Sequence, residues 1–205
     1  MGRVIHLKTP VSEEQIRDLR LDDEVYVTGE AYEMLYADHY TILLDKMRKG
    51  EPLPEGMNLQ GAALWNTGAI WRHIDGERKL FATCATTSNK YNPYTPEFIK
   101  LSGIRMIIGK GGNDEASLAA MKEYGCVYLA IAGGCCAVYT PHCRIVDEYE
   151  PKSPPTDNQR LKYELDEFGP LFVAMDANGN SLYKDRADFA QENKPAIYKK
   201  LEIGP

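Results

Sequence analysis

The sequence predicts a mixed α/β domain with a parallel unit near its middle. From Gly103 to Cys143, short apolar runs alternate with amphipathic segments in the order strand, helix, strand, helix, which is typical of parallel sheets. The chain has 205 residues, of which 43% are hydrophobic and 26% charged, so it can form a sizeable core and has the composition of a soluble globular protein. We therefore treat residues 1–205 as a single α/β domain.

The elements before this unit follow from periodicity. Val25–Glu30 alternates like a strand, and Ala31–Gly50 has apolar residues three and four apart, as a helix that ends at a glycine does. Ala62–Ile70 and Lys79–Thr86 have the composition of strands, and Asp75–Arg78 is a turn between them. These segments predict a strand, a helix and a β-hairpin.

The second half of the chain contains further helices, strands and loops. We predict a short helix (Thr95–Gly103), a strand (Ile104–Gly109), a helix with Asn113 as its N-cap (Asp114–Gly125), a strand (Cys126–Gly134), a helix limited by Pro141 (Cys135–Cys143), a surface loop (Glu150–Gln159), a segment that ends in a strand and a tight turn (Leu161–Asn180), and a closing helix (Asp185–Leu201).

Composition argues against several classes of function. The net charge is −6 and no basic cluster is present, which argues against nucleic acid as a partner. No apolar run approaches the roughly 18 residues of a membrane helix, and the N-terminus lacks the apolar core of a signal peptide. The five cysteines are odd in number and lack C-x₂-C spacing, so we expect reduced thiols, no metal site built by this chain and a cytoplasmic location.

Two glycine-bearing loops follow predicted parallel strands. Gly109–Asp114 contains Lys110, and Ala132–Val138 contains Cys135 and Cys136. Ligands of α/β sheets gather at the carboxyl ends of the strands, and a helix start favours an anion, so both loops are candidate sites for a carboxylate or phosphate. The alternative is a plain βα turn with a solvated lysine, because a short glycine motif is a weak signal. We expect the two cysteines to be packing residues.

Thr86 and Thr87 follow another predicted strand. Two hydroxyls and two backbone N–H groups could hold a carboxylate there, or one hydroxyl could transfer a proton. The alternative is ordinary strand composition, since threonine is favoured in strands.

The order of these motifs resembles a known family. The chain runs from a strand to Thr86–Thr87–Ser88, a helix, the "IIGKGG" segment, a helix, a strand and the "AGGCCAV" segment. "VYVTGE", "LPEGMNLQGAALWNTG" and "DEFGPLFVAMDANGN" add similar segments in the same order. Together these resemble the C-terminal domain of class I fumarases and the beta subunit of L(+)-tartrate dehydratase, over nearly the whole chain.

The resemblance implies a swivelling β/β/α fold and a hydro-lyase that adds or removes water on a small hydroxy acid. It implies a 4Fe–4S cluster that an alpha subunit supplies and that this chain does not bind, which agrees with the absence of iron–sulfur cysteine spacing here. The implied partners are that alpha subunit and the hydroxy acid, and the beta subunit could also form a homodimer. A non-catalytic binding or assembly module that keeps the fold is the alternative.

The resemblance also assigns roles to individual residues. Thr86 and Thr87 match threonines that bind a substrate carboxylate, one of them a candidate proton carrier, and Lys110 matches the lysine of the family's Gly-Lys-Gly. These three are the expected catalytic residues. The expected substrate-binding residues are Ser88, Lys90, His39 and Asn66.

Three positions depart from the family pattern. Lys90 stands where the family has an arginine and keeps the charge without the bidentate fork, while Leu35 stands where another substrate-binding arginine is usual. Asn66 replaces the histidine of a His-Ala-Gly-Pro segment. We therefore expect a divergent member whose substrate has one carboxylate and a less charged or larger second group, because Leu35 leaves a second carboxylate unpaired.

Overall fold

The computed structural model describes residues 2–149 and 160–203 as a mixed α/β fold. The predicted loop Glu150–Gln159 lies outside the described residues. The nine strands are β1 (Val4–Lys8), β2 (Glu24–Glu33), β3 (Ala63–Trp65), β4 (Thr67–Ile74), β5 (Glu77–Ala85), β6 (Met106–Gly109), β7 (Val127–Ala130), β8 (Cys143–Tyr149) and β9 (Arg160–Met175). The α-helices of these residues are α1 (Glu13–Asp18), α2 (Ala37–Lys49), α3 (Thr95–Ser102), α4 (Glu115–Tyr124) and α5 (Leu182–Lys200).

Five strands close into a ring. Strands β2, β3, β6 and β7 are consecutive parallel neighbours, and β9 pairs antiparallel with both β7 and β2. β1 and β8 extend this seven-stranded sheet, whereas β4 and β5 form a separate hairpin. Because β2, β3, β6 and β7 run in the same direction, their carboxyl ends all lie at one mouth of the ring.

Side chains alternate between two apolar cores. Trp65, Ile108 and Leu129 point into the ring, where they pack with the inward residues of β9, while Leu64 and Ile107 point outward toward α2, α3 and α4. The two-residue period of a strand produces this alternation. The predicted parallel unit from Gly103 to Cys143 is confirmed for its two strands and first helix.

Tertiary pairing corrects two of the predicted boundaries. Ala31–Glu33, predicted as the start of a helix, belongs to β2 because these residues pair with Ala63–Trp65, and α2 begins only at Ala37. The predicted strand Ala62–Ile70 is broken at Asn66, where the chain leaves the ring for the hairpin. The predicted end of α2 is confirmed, since Gly50 has a left-handed φ of 67°.

Two predictions about the helices of the parallel unit are wrong. Asp114, not Asn113, is the N-cap of α4, and its side chain accepts a hydrogen bond from the Ser117 backbone N–H. The segment predicted as a helix limited by Pro141 is a 3₁₀ helix, Cys136–His142, that contains this proline. Three elements of the structure, β1, α1 and β8, were not predicted from the sequence.

Candidate functional site at the carboxyl ends of the parallel strands

The backbone joins the Thr86–Ser88 segment to the ends of β3 and β6. The Thr86 N–H donates to the Asn66 carbonyl at 2.8 Å, and the Ser88 N–H donates to the Lys110 carbonyl at 2.9 Å. Thr87 and Lys110 form an isolated parallel bridge. These bonds continue the sheet beyond its regular strands, so the structure brings Thr86, Thr87, Ser88 and Lys110 together at the mouth of the ring.

Close packing beneath this segment requires a glycine. A Cβ atom at Gly109 would lie 2.1 Å from Ser88 Oγ and 2.9 Å from the Tyr128 hydroxyl oxygen. Ser88 is buried and accepts a hydrogen bond from the Tyr128 hydroxyl at 3.0 Å. The glycine before Lys110 is therefore a packing requirement that fixes Ser88 against β7.

Lys90 and Lys110 form a pair of like charges. The Lys90 Nζ donates to the Thr86 Oγ1 at 2.8 Å and lies 4.9 Å from the centroid of the Tyr91 ring. Partial burial, and then repulsion by Lys110, lowers the pKa of the Lys90 ammonium. Within residues 2–149 and 160–203, neither lysine forms a salt bridge with a carboxylate. Two adjacent ammonium groups without a counter-charge would be stabilised by a bound anion.

The loop after β7 packs beside the Lys110 side chain of the loop after β6. A Cβ atom at Gly133 would lie 3.6 Å from Lys110 Cδ, so the stem of this lysine passes beside the loop that follows β7. Gly134 has a φ of 80° and open space around it, and Cys135 is exposed. The expectation that Cys135 is a packing residue is therefore wrong.

The predicted helix start follows the loop Gly109–Asp114 but not the loop after β7. The first turn of α4 is capped by the Asp114 carboxylate, which accepts hydrogen bonds from the Ser117 N–H at 2.9 Å and from the Ser117 hydroxyl at 2.7 Å. The loop after β7 leads into a short 3₁₀ helix instead of an α-helix. The positive charge at this mouth therefore comes from lysine side chains and not from a helix dipole.

Asn66, whose carbonyl accepts a hydrogen bond from the Thr86 N–H, has one side-chain oxygen without a hydrogen-bond partner among the described residues. Its Nδ2 donates to the Met34 carbonyl at 3.2 Å and to the Tyr40 hydroxyl oxygen at 2.9 Å. Its Oδ1 is buried without a hydrogen-bond partner among the described residues. Met34 and Tyr40 therefore hold the Asn66 side chain, while the Asn66 backbone carbonyl positions the Thr86 N–H.

His39 lies near the start of α2. It is buried, its Nδ1 accepts a hydrogen bond from the Leu35 N–H at 3.3 Å, and its ring packs edge-on to Tyr36. Leu35 lines a cleft of about 550 Å³ together with Tyr36 and Trp71. The position where the resemblance places an arginine thus lines an open cleft, whose lining also includes Arg72 and His73 of the hairpin.

Glu33 is a candidate functional residue that the sequence reasoning missed. It lines the same cleft, is only 3% exposed, and accepts a hydrogen bond from the Tyr163 hydroxyl at 2.7 Å. Burial raises the pKa of its carboxyl group to about 8, so it is largely protonated at neutral pH. An acidic residue in an apolar segment could have indicated this role. Because the segment was predicted as an amphipathic helix, where acidic residues are common, Glu33 was not singled out.

Asn113 closes the site loop from the other side. Its Nδ2 donates to the Ser88 carbonyl at 3.3 Å and to the Asn92 Oδ1 at 2.8 Å. The residue predicted as a helix cap therefore connects the loop after β6 to the segment after the hairpin.

The described residues do not provide a site for an iron–sulfur cluster. They contain no group of three or more His, Cys, Asp or Glu side chains that could hold a metal ion. Burial raises the pKa of the Cys126 and Cys143 thiols to about 12, which disfavours the thiolate that a cluster needs, and Cys84 and Cys135 are exposed. The cysteines in this part of the chain therefore do not fit the ligand set of a cluster.

This geometry defines a class of protein: an α/β domain that presents two lysines and two threonine hydroxyls at the carboxyl ends of parallel strands. Residues 1–186 match the family model described as "Fumarase C-terminus". The chain belongs to this family.

Three relatives illustrate the range of the family. The chain is 31% identical over 192 residues to a Methanocaldococcus jannaschii protein provisionally named L(+)-tartrate dehydratase subunit beta, covering 93% of each chain. It is 24% identical to the L(+)-tartrate dehydratase subunit beta of Escherichia coli K12, covering 95% of this chain and 94% of the relative. It is also 32% identical to a Geobacillus stearothermophilus protein provisionally named fumarate hydratase class I, covering 89% of this chain but only 34% of that protein.

The part of the chain that the structure describes has no helix with the length and apolar character needed to cross a membrane.

Proposed function

We propose that the chain is the beta subunit of an iron–sulfur-dependent hydro-lyase that adds or removes water on a small hydroxy acid. The family match over residues 1–186 and the beta-subunit relatives, which align over nearly their full lengths, support this function. They do not favour a non-catalytic binding or assembly module. The observation that carries the proposal is the lysine pair at the strand ends, which lacks a counter-charge in the described structure.

In this proposal Lys90 and Lys110 neutralise a substrate carboxylate. Burial, and then repulsion by Lys110, lowers the pKa of Lys90, and an anion between the two ammonium groups would relieve the repulsion. Thr87 and Lys110, which bridge through their backbones, fix the distance between the two loops. Charged hydrogen bonds of this kind contribute about 1.5–3 kcal/mol each.

Thr86 and Thr87 would contact the same acid and handle a proton. The Thr86 hydroxyl accepts a hydrogen bond from the Lys90 ammonium, so its own proton is free to point toward a substrate. Proximity to a cation also stabilises the alkoxide character that a proton carrier acquires in the transition state. Ser88 is buried beneath this segment and would position it, with its backbone as the nearer contact.

The cluster and the completed site would come from an alpha subunit. Such a cluster supplies a Lewis acid for the substrate hydroxyl, while this chain holds the carboxylate. The partly exposed lysines and Thr87 agree with a mouth that another subunit covers. The ring, hairpin and flanking helices suit the swivelling β/β/α fold of the family, with residues 1–205 as one domain. Free thiols at Cys126, Cys135 and Cys143 fit a reducing, cytoplasmic compartment.

The cleft beside Leu35 supports a substrate with one carboxylate and a less charged or larger second group. Leu35, Ile70 and Trp71 give this cleft apolar surface, and the protonated Glu33 carboxyl can donate a hydrogen bond to an uncharged polar group. Arg72 and His73 also line this cleft, so a second carboxylate could meet a positive charge on the hairpin but would gain none from Leu35 itself. His39 would support this wall through its bond to the Leu35 N–H.

The test is anaerobic co-expression with the neighbouring gene product, followed by a screen of hydroxy acids for loss of water. We expect turnover from the complex and none from this chain alone. The Thr86→Val variant should lower kcat at least about a hundredfold, because general acid–base groups typically contribute that much. Thr41→Val, a matched change on α2, should leave kcat unaltered. Unchanged turnover after Thr86→Val would reject the assigned role, and stoichiometric iron bound by this chain alone would reject the division between subunits.

A further inference from the structure

The C-terminal helix α5 is almost free of the domain that carries it. None of its residues from Leu182 to Lys200 is buried. Among residues 2–149 and 160–203, the contacts that hold α5 involve its first turn, where the Tyr183 ring lies so close to Gly112 that a Cβ on this glycine would be 2.5 Å from the ring. In the same turn, the Lys184 ammonium lies 3.4 Å from the Glu115 carboxylate. A helix in water gains little stability from propensity alone, so a helix this exposed should be covered in the working protein.

One side of α5 carries a row of apolar side chains. Phe189 and Ile197 of α5 and the C-cap residue Leu201 are 61%, 49% and 59% exposed and follow one another at multiples of four residues. Asn193 occupies the remaining position of the row, and its side-chain amide donates to the Phe189 carbonyl at 2.7 Å. The Asn193 amide thus already has one hydrogen bond within its own helix. Burying the row therefore incurs only a small desolvation penalty at this residue.

The two halves of α5 carry opposite net charges. Because Lys184 is already paired with Glu115, the first half has three acids, Asp185, Asp188 and Glu192, against one base, Arg186. The second half has three bases, Lys194, Lys199 and Lys200, against one acid, Glu202. Two such helices placed antiparallel bring each acidic half beside a basic half, which is the condition for a two-fold symmetric interface.

We infer that α5 is a dimerisation helix whose apolar row packs antiparallel against α5 of a second copy of this chain. A row with four-residue spacing packs ridge into groove at a crossing angle of about 50°, with the crossing near Asn193. At that crossing Phe189 faces Ile197 of the second copy, and Asp188 lies near Lys199 of the second copy, each contact occurring twice. This surface is separate from the lysine pair, so the inference does not depend on the proposed reaction.

The first experiment is sedimentation equilibrium of the intact chain across a range of micromolar concentrations. We expect a reversible monomer–dimer equilibrium. Ile197→Asp should raise the dissociation constant at least about tenfold, because truncating a central apolar contact of an interface typically has that effect or a larger one. Leu101→Asp, which changes another exposed apolar residue on α3, is the matched control and should leave the dissociation constant as it was.

The second experiment distinguishes the antiparallel pairing from nonspecific association. Asp188→Lys and Lys199→Asp should each weaken the dimer, and the double variant should recover most of the affinity, because it exchanges the two charges of one pair. A monomeric chain at all concentrations would overturn the inference. So would a dimer that Ile197→Asp leaves intact, or protection of α5 from hydrogen exchange that requires the alpha subunit.

Discussion

The loops that follow β6 and β7 look alike in sequence but differ in the structure. Both leave parallel strands at the same mouth of the ring, and both contain glycines. The loop after β6 is fixed by the Thr87–Lys110 bridge, the Ser88–Lys110 hydrogen bond and the Asn113 side chain. The loop after β7 has open space around Gly134 and an exposed Cys135.

The difference shows that a glycine motif becomes a site only when another segment is held against it. Gly109 permits Ser88 to approach the sheet, and this approach places Thr86, Thr87 and Lys90 beside Lys110. Gly133 instead leaves room for the stem of Lys110. The loop after β6 therefore carries the charge, and the loop after β7 serves as its wall.

Replacing the glycine at the end of β6 should have the largest effect. Gly109→Ala places a Cβ 2.1 Å from Ser88 Oγ, so the Thr86–Ser88 segment must move. We expect the free energy of unfolding to fall by about 1–3 kcal/mol, as for other overpacked sites, and the reconstituted complex to lose most of its activity. Thermal unfolding and turnover measure the two effects.

Gly134→Ala is the matched change in the other loop. It meets no atom within 4 Å and incurs only the strain of a φ of 80°, about 1–2 kcal/mol, so activity should be largely kept. The comparison between the loops fails if the Gly109→Ala complex turns over hydroxy acid at the normal rate.

Removing the loop lysine should have the next largest effect. Lys110→Met keeps the stem beside Gly133 and deletes the charge, so KM for the hydroxy acid should rise about tenfold to a hundredfold, the equivalent of one charged hydrogen bond. Cys135→Ser in the loop after β7 should change KM less than about twofold. Equal effects of the two substitutions on steady-state kinetics would show that the loops do not differ in function.

The smallest expected effect is the dependence of acid binding and of stability on pH through Lys90. The folded protein lowers the pKa of Lys90 through burial and then through repulsion by Lys110, so Lys90 loses its proton at a lower pH than an ordinary lysine does. Acid affinity should be complete below that lowered pKa and should fall as the pH rises through it. The stability of the unliganded chain should instead increase over the same range, since the unfolded chain then binds more protons.

The Lys110→Met variant tests the cause of this pKa shift. Removing the second charge should raise the pKa of Lys90 part of the way toward its ordinary value, because the contribution of burial remains. An NMR titration of the Lys90 side chain would detect the change, with Cys135→Ser as the control. An unaltered Lys90 pKa in Lys110→Met would mean that the two ammonium groups are not neighbours in solution.

Sequence alone determined the parts of this protein that depend on local periodicity and on motif order. The apolar run that becomes β6, the amphipathic pattern of α4 and the Gly50 end of α2 could all be predicted, because strand and helix periods and left-handed glycines are properties of a few consecutive residues. The ordered motifs identified the family and selected Thr86, Thr87 and Lys110.

The tertiary structure alone decided which residues meet. Ala31–Glu33 has a helical pattern but forms strand because Ala63–Trp65 lies beside it, and Asp114 displaces Asn113 as the cap because Asn113 is bound to Ser88 and Asn92. The charge at the mouth comes from Lys90 beside Lys110, two residues of different segments. The Thr87–Lys110 bridge that joins these segments is encoded by no local pattern. Local pattern reports the preferences of neighbours in sequence, whereas pairing, burial and charge proximity depend on neighbours in space.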